Sequence, residues 1–377
     1  MPLHTIQQVK YRQKSSFGQY IISIIPAIAA GLIMFVVKLS SADNVEKIYS
    51  QGLFPIISAV VSFFGGLFPF SLSGLIWAFL VVFILFMVIR LAFLLIRGKN
   101  RKKTLFKYFC GALQVASVIL LLFVVTCAPN YYRLTFADMS GLVIRKSSVQ
   151  ELYDLCESLI EEANSASITA TIGSDKTNYT VKELSLTSLE AFNNLHTEYE
   201  FISKARSKPK PFLFSEILSI FNLSGFYFPY TGEANINANM PLLDHPFTMC
   251  HELAHTSGFM REDEANYIAF LACRSSENPN IRFSGMVNSL NICLNAMYST
   301  DRDKYWELRS SCSDKVESYF QESYEYWQPY QDTTAASVST TVNDIYLRSN
   351  AQQDGTKSYG RMVDLMLADY RKTNNID

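Results

Sequence analysis

Three apolar runs constrain this chain more than any other feature: Tyr20 to Leu39, Leu72 to Ile96 and Leu105 to Ala128. Each is long enough to cross the hydrocarbon core of a bilayer, which takes about 20 residues of helix. Arg90 and Lys107 interrupt the last two runs only near an end, where long basic side chains snorkel to the headgroups. The first run exceeds the usual apolar core of a secretion signal. Lys38, Leu39 and Ser40 make no small-x-small cleavage site either, so this run is expected to remain as an anchor. Residues 52–71 are also apolar, but Pro55, Gly65, Gly66 and Pro69 interrupt them. An interfacial or re-entrant segment is expected there rather than a fourth span.

The formal net charge of -1 hides an asymmetry. Residues 1–129 hold 12 Lys and Arg against 2 Asp and Glu; residues 130–377 hold 21 against 32. Lys10, Arg12 and Lys14 precede the first run. Arg97, Lys99, Arg101, Lys102, Lys103 and Lys107 gather between the second and third. Basic residues collect on the cytoplasmic side of membrane proteins. Three spans then give a multi-pass protein of the cell membrane, with a cytoplasmic N-terminus and an extracytoplasmic C-terminal domain. The basic residues act as topology determinants next to anionic headgroups, and no nucleic acid is needed to explain them. The expected organisation is a membrane anchor over 1–129 and a domain over 130–377.

The second part reads as mainly helical, α+β with little sheet. Ser148 and Glu151 form a capping box opening a helix whose Leu152, Leu155, Leu159, Ile160 and Ala163 share a face. Residues 165–180 read as loop and 184–205 as helix. Phe226 to Asn237 reads as one or two short strands, with Ala234 and Asn235 on a possible edge. Helices are expected at 247–258, 261–275, 283–298, 301–328, 336–349 and 358–372. Cys156, Cys250, Cys273, Cys293 and Cys312 are an odd set without zinc-type CxxC spacing. Cys250 and Cys273 can face each other across two helices, as a pair or as buried thiols.

One stretch carries chemistry. Residues 251–255 read His-Glu-Leu-Ala-His. Histidines at i and i+4 share a helix face and can reach one metal, while Glu252 points to its side. Catalytic zinc takes three protein ligands and keeps one position open. Gly258 can end this helix in a left-handed conformation, and a second helix then starts at Glu262-Asp263-Glu264. Glu262, Ala265, Asn266, Ala269 and Cys273 make one stripe on it. Glu262 is the expected third ligand and Asn266 the expected support for a histidine. Glu264 lies about 200° around the helix and is the alternative ligand.

The run from His251 to Asn266 resembles the Glu-zincin pattern, in which a glutamate on the following helix completes a zinc site. The interval from His255 to Glu262 is shorter than usual for it. The metzincin pattern matches through Gly258 and departs at Arg261, which cannot ligate zinc. The chain is also similar to a family of uncharacterised bacterial membrane proteins with three N-terminal spans and a C-terminal zincin-like domain. Phe226 to Asn235, Thr248 to His255, Glu262 to Asn266, Phe283 to Gly285, Tyr346 to Asn350 and Ser358 to Gly360 carry that resemblance.

The reading these residues support is a membrane-anchored zinc-dependent peptidase acting on a peptide or protein. Zn2+ would be held by His251, His255 and Glu262, and Glu252 would be the general base toward a metal-activated water. Tyr359, Tyr298 and His245 are candidate oxyanion donors. The alternative is a non-catalytic receptor or scaffold with a zinc-binding or peptide-binding ectodomain. An intramembrane protease fits less well, because polar residues flank a motif helix too short to span.

Overall fold

The computed structural model describes residues 16–172 and 179–376. Lys10, Arg12 and Lys14 lie outside them. The chain divides into two compact units. One holds residues up to Val36 and Leu80–Val125; the other holds Val37–Phe79 and Thr126–Asp377.

The first unit is built from parts of three long helices: α1 (Ser16–Leu39), the later turns of α4 (Leu72–Arg97), and α5 (Arg101–Thr126). Their apolar side chains point outward; Leu32, Phe35, Val82 and Ile89 are all exposed. A helix that is apolar all round is suited to lipid rather than water. Among the described residues, four helices are long and apolar enough to cross a bilayer: Tyr20–Leu39, Ala42–Gly66, Leu72–Arg97 and Arg101–Thr126. They mark a membrane protein.

The second unit begins with residues that sequence pattern assigns to the anchor. α2 (Ala42–Val45) runs through a π-helical stretch, Glu46–Leu53, into α3 (Phe54–Gly66). The 52–71 segment is therefore helical through Gly66, with Pro55 in the first turn of α3, where its missing N–H is tolerated. The polar groups of α3 bond within this unit. Ser58 donates to the Thr256 carbonyl at 3.2 Å and Ser62 to that of Gly232 at 3.3 Å. Lys210 donates to the Gly65 carbonyl at 2.6 Å. The Arg133 guanidinium grips the Glu46 carboxylate at 2.7 and 2.9 Å.

Helices dominate the rest: α6 (Phe136–Ser140), α7 (Val149–Thr169), α8 (Val181–Asn194), α9 (Ser215–Ile220), α10 (Asp244–Thr256), α11 (Glu262–Arg274), α12 (Pro279–Thr300), α13 (Arg302–Arg309), α14 (Asp314–Trp327), α15 (Thr334–Ser349) and α16 (Met362–Asn374). α7 opens with the Ser148–Glu151 capping box and runs to Thr169, into the stretch expected as loop; residues 173–178 lie outside the described residues. α8 stops at Asn194 rather than near 205, because Asn193 turns back and pairs with both backbone groups of Ala205. The helix expected over 301–328 is two helices. Ser310–Ser313 breaks it, and Asn164 of α7 bonds the freed Ser311 carbonyl and Ser313 amide.

The sheet has three short strands in the order β1 (Lys210–Pro211), β3 (Glu233–Ile236), β2 (Gly225–Phe228). β1 pairs parallel and β2 antiparallel with β3. Ala234 and Asn235 thus sit on the central strand, and β1 and β2 are the edges. α10 packs on β3, α8, α11 and α12, burying Met249, Cys250, Leu253 and Ala254 completely. Small residues let α11 approach: Ala265, Ala269, Ala272 and Cys273 are fully buried. Cys250 and Cys273 face each other with 3.8 Å between sulfurs and are free thiols.

Candidate metal centre

α10 carries His251 and His255 one turn apart. The chain leaves it through Gly258, whose φ of 91° is unfavourable for residues with a side chain, and re-enters helix at Glu262. That turn brings Glu262 back over the histidines. Its Oε2 lies 3.2 Å from His251 Nε2 and 3.5 Å from His255 Nε2, and the two Nε2 atoms are 3.1 Å apart.

Each ring is fixed from behind. His251 Nδ1 is 2.7 Å from Asn266 Oδ1, and His255 Nδ1 is 2.7 Å from the Phe259 carbonyl. Both partners are acceptors, so each Nδ1 carries the hydrogen and donates it. In the neutral rings, both Nε2 lone pairs then face one another and the Glu262 carboxylate. Three ligand atoms on a tetrahedral zinc at about 2.0–2.1 Å would stand about 3.3 Å apart. The observed separations fit that size, and His251, His255 and Glu262 form the cluster suited to hold a metal among the described residues.

Charge follows the same geometry. Burial works against a charged His255, but the Glu262 carboxylate outweighs it and holds the ring up at about 9. Burial pushes Glu262 upward, yet the two histidines override this and keep it well below the usual carboxylate range. Burial raises Glu252 to about 7, although the histidines pull the other way. Glu252 Oε2 is buried with no hydrogen-bond partner among the described residues. An orphaned buried carboxylate oxygen costs about 1–3 kcal/mol or more and calls for a donor beside it.

These side chains line a cavity of about 940 Å³. β2 forms one wall, and its Gly225 lies against Glu252: a Cβ there would come within 2.7 Å of Oε1. Val338, Val342 and Tyr346 of α15 form another wall, and Trp77, from the second turn of α4, also contributes. Tyr131 and Tyr346 both line the cavity, with the Tyr131 hydroxyl donating to that of Tyr346 at 2.9 Å. Tyr131 is not singled out by sequence pattern, and Tyr346 only as the start of a segment that carries the family resemblance, with no role attached. They lie far from the motif on either side, two among 21 tyrosines.

Other candidates lie elsewhere. Glu264 faces away from the histidines and accepts from the Phe136 amide at 2.8 Å and Arg261 at 3.0 Å. Tyr298 is exposed at the end of α12, stacked edge-on with Tyr305, and is not part of the cavity wall. His245 is buried outside the wall, its Nδ1 3.0 Å from the Pro241 carbonyl. The side chain of Tyr359 lies outside the described residues.

Fold and site together define a helix-rich membrane protein with a His-His-Glu cluster, buried at His255 and Glu262 and half-buried at His251, that opens on a cavity. The chain belongs to the family described as "Protein of unknown function (DUF3810)", whose model matches residues 49–367. No curated protein and no solved structure matches it.

Proposed function

We propose that this protein is a membrane-anchored, zinc-dependent peptidase of zincin-like design. The observation that carries the reading is the convergence of His251 Nε2, His255 Nε2 and Glu262 Oε2 within 3.5 Å of one another, with both Nδ1 atoms already committed. Bound zinc would supply Lewis-acid polarisation of a carbonyl and acidification of water. Glu252 suits proton transfer in that site, because burial holds its acidity near neutrality and its Oε2 has no competing partner. The β2 edge beside Glu252 can receive an extended peptide, and the Tyr131–Tyr346 hydroxyl pair, which lines the cavity, takes the place of Tyr298 and His245 as the donor candidate.

The domain is proposed to be extracytoplasmic. The basic loop at 97–107 joins the far ends of α4 and α5. The near ends, Leu72 and Thr126, belong to the same unit as the cluster. Basic residues inside then put that unit outside.

The test uses the full chain in nanodiscs, because residues 37–79 are part of the unit. Metal content and cleavage of a broad peptide library are measured for wild type and Glu252→Gln. Zinc in both and cleavage only in wild type is the expected result. Hydrolysis surviving in Glu252→Gln would sink the mechanism. Zinc without any cleavage would favour a binding role.

A further inference from the structure

Residues 213–221 turn most of their apolar side chains outward; Leu218 is the apolar one that is buried. Ser215 and Ser219 are buried, and their hydroxyls bond inward, Ser215 to the Phe212 carbonyl at 2.8 Å and Ser219 to the Tyr326 hydroxyl at 2.6 Å. Leu213, Phe214, Ile217, Ile220 and Phe221 are exposed, with Leu213 at 47% and Ile217 at 46%. The exposed set recurs at three- and four-residue spacing, so it forms one apolar ridge along α9. The charged residue of the segment, Glu216, sits at the ridge's border and is held by Asn239 at 3.2 Å and Tyr330 at 3.2 Å. Single exposed apolar residues are ordinary; a contiguous ridge of five marks a contact surface.

What covers the ridge follows from its neighbour. Leu213 packs against Gly74 in the first turn of α4, so closely that a Cβ on Gly74 would come within 3.0 Å of it. α4 is a candidate membrane span from Leu72 onward. The ridge is therefore continuous with an apolar helix face that enters lipid. We propose that Leu213–Phe221 inserts into the bilayer leaflet beside the start of α4, in the manner of an interfacial amphipathic helix. Phe221, a wall residue of the cavity, then lies at headgroup level, and the cavity opens toward the membrane surface.

Site-directed spin labelling of the full chain tests this. The background is Cys312→Ser, since the other cysteines are buried. Phe214→Cys, Ile217→Cys and Ile220→Cys are labelled separately in phosphatidylcholine–phosphatidylglycerol vesicles, with Glu161→Cys as an exposed reference. Lipid insertion raises collisions with oxygen and lowers those with a water-soluble nickel chelate, several-fold relative to Glu161→Cys, at two or more of the three sites. Nickel accessibility equal to the reference at all three overturns the proposal. Exclusion of both reagents, which signals a protein partner or a second copy, overturns it too. Because the readout is independent of hydrolysis, loss of the peptidase reading leaves it standing.

Discussion

His251 and His255 present their Nε2 atoms to each other at 3.1 Å, while Asn266 Oδ1 and the Phe259 carbonyl hold their Nδ1 atoms from behind. Glu262 faces both, while Glu264 is used by Phe136 and Arg261. The two acids should therefore separate in their effects. Losing Asn266 is expected to weaken zinc binding about 10–100-fold, and losing His251, His255 or Glu262 to weaken it more. Glu264→Ala should keep zinc and lose roughly 1–3 kcal/mol of stability. Competition titration of metal-stripped protein against a chromophoric chelator, with thermal unfolding, reads both. Zinc lost in Glu264→Ala and kept in Glu262→Ala would reverse the assignment.

Gly225 is expected to be intolerant of the smallest side chain. A Cβ there meets both Glu252 Oε1 at 2.7 Å and the Asn235 carbonyl at 2.8 Å. The carboxylate can swing away, but the backbone of β3 cannot without parting the sheet. Gly225→Ala should cost about 1–3 kcal/mol by overpacking. By displacing Glu252 it should also lower hydrolysis at least 10-fold, with zinc content unchanged. Unaltered melting and cleavage would refute the contact.

Glu233 joins the sheet to the start of α4. Its carboxylate accepts from the amides of Leu72 at 2.9 Å and Ser73 at 2.8 Å, and holds the buried Lys210 ammonium at 2.9 Å. Removing one member strands a buried charge. Glu233→Gln is expected to destabilise by about 3–5 kcal/mol. Adding Lys210→Met should cost clearly less than the sum of the two single changes. Denaturant unfolding in detergent closes this cycle; strict additivity would show that the pair is not coupled.

Asp244 gives stability a pH dependence away from the metal centre. Burial pushes its carboxyl to about 6, although the Tyr319 hydroxyl donates to it. The folded state thus binds a proton that the unfolded chain releases at its ordinary value near 3.8. This contribution is full below about pH 4 and is lost as pH rises through about 6, on the order of 3 kcal/mol in all. Asp244→Asn keeps an acceptor for Tyr319 and removes the titration. Its stability relative to wild type should rise between pH 4 and 7; a constant difference in melting curves would contradict this.

Much of the architecture is legible locally. Capping pairs at Ser148–Glu151, apolar runs of membrane length and the helical spacing of His251, His255, Glu262 and Asn266 depend on residues a few positions apart. Elements that depend on distant partners are not. The break at Ser310–Ser313 exists because Asn164 satisfies it, and α8 ends early because Asn193 reaches Ala205. Tyr131 and Tyr346 meet only because the chain after the last apolar run and α15 come to the same cavity.

The sequence alone determined the membrane character, the helical class and the face that groups the metal-site residues, because each follows from short-range periodicity. Tertiary structure decided that residues 37–79 belong with the C-terminal domain, that Ala234 and Asn235 lie on the central strand rather than an edge, and that Glu264 is a structural acid. Each of these depends on which buried polar group finds a partner across the fold, and hydrogen bonding between residues far apart in the chain leaves no periodic trace along it.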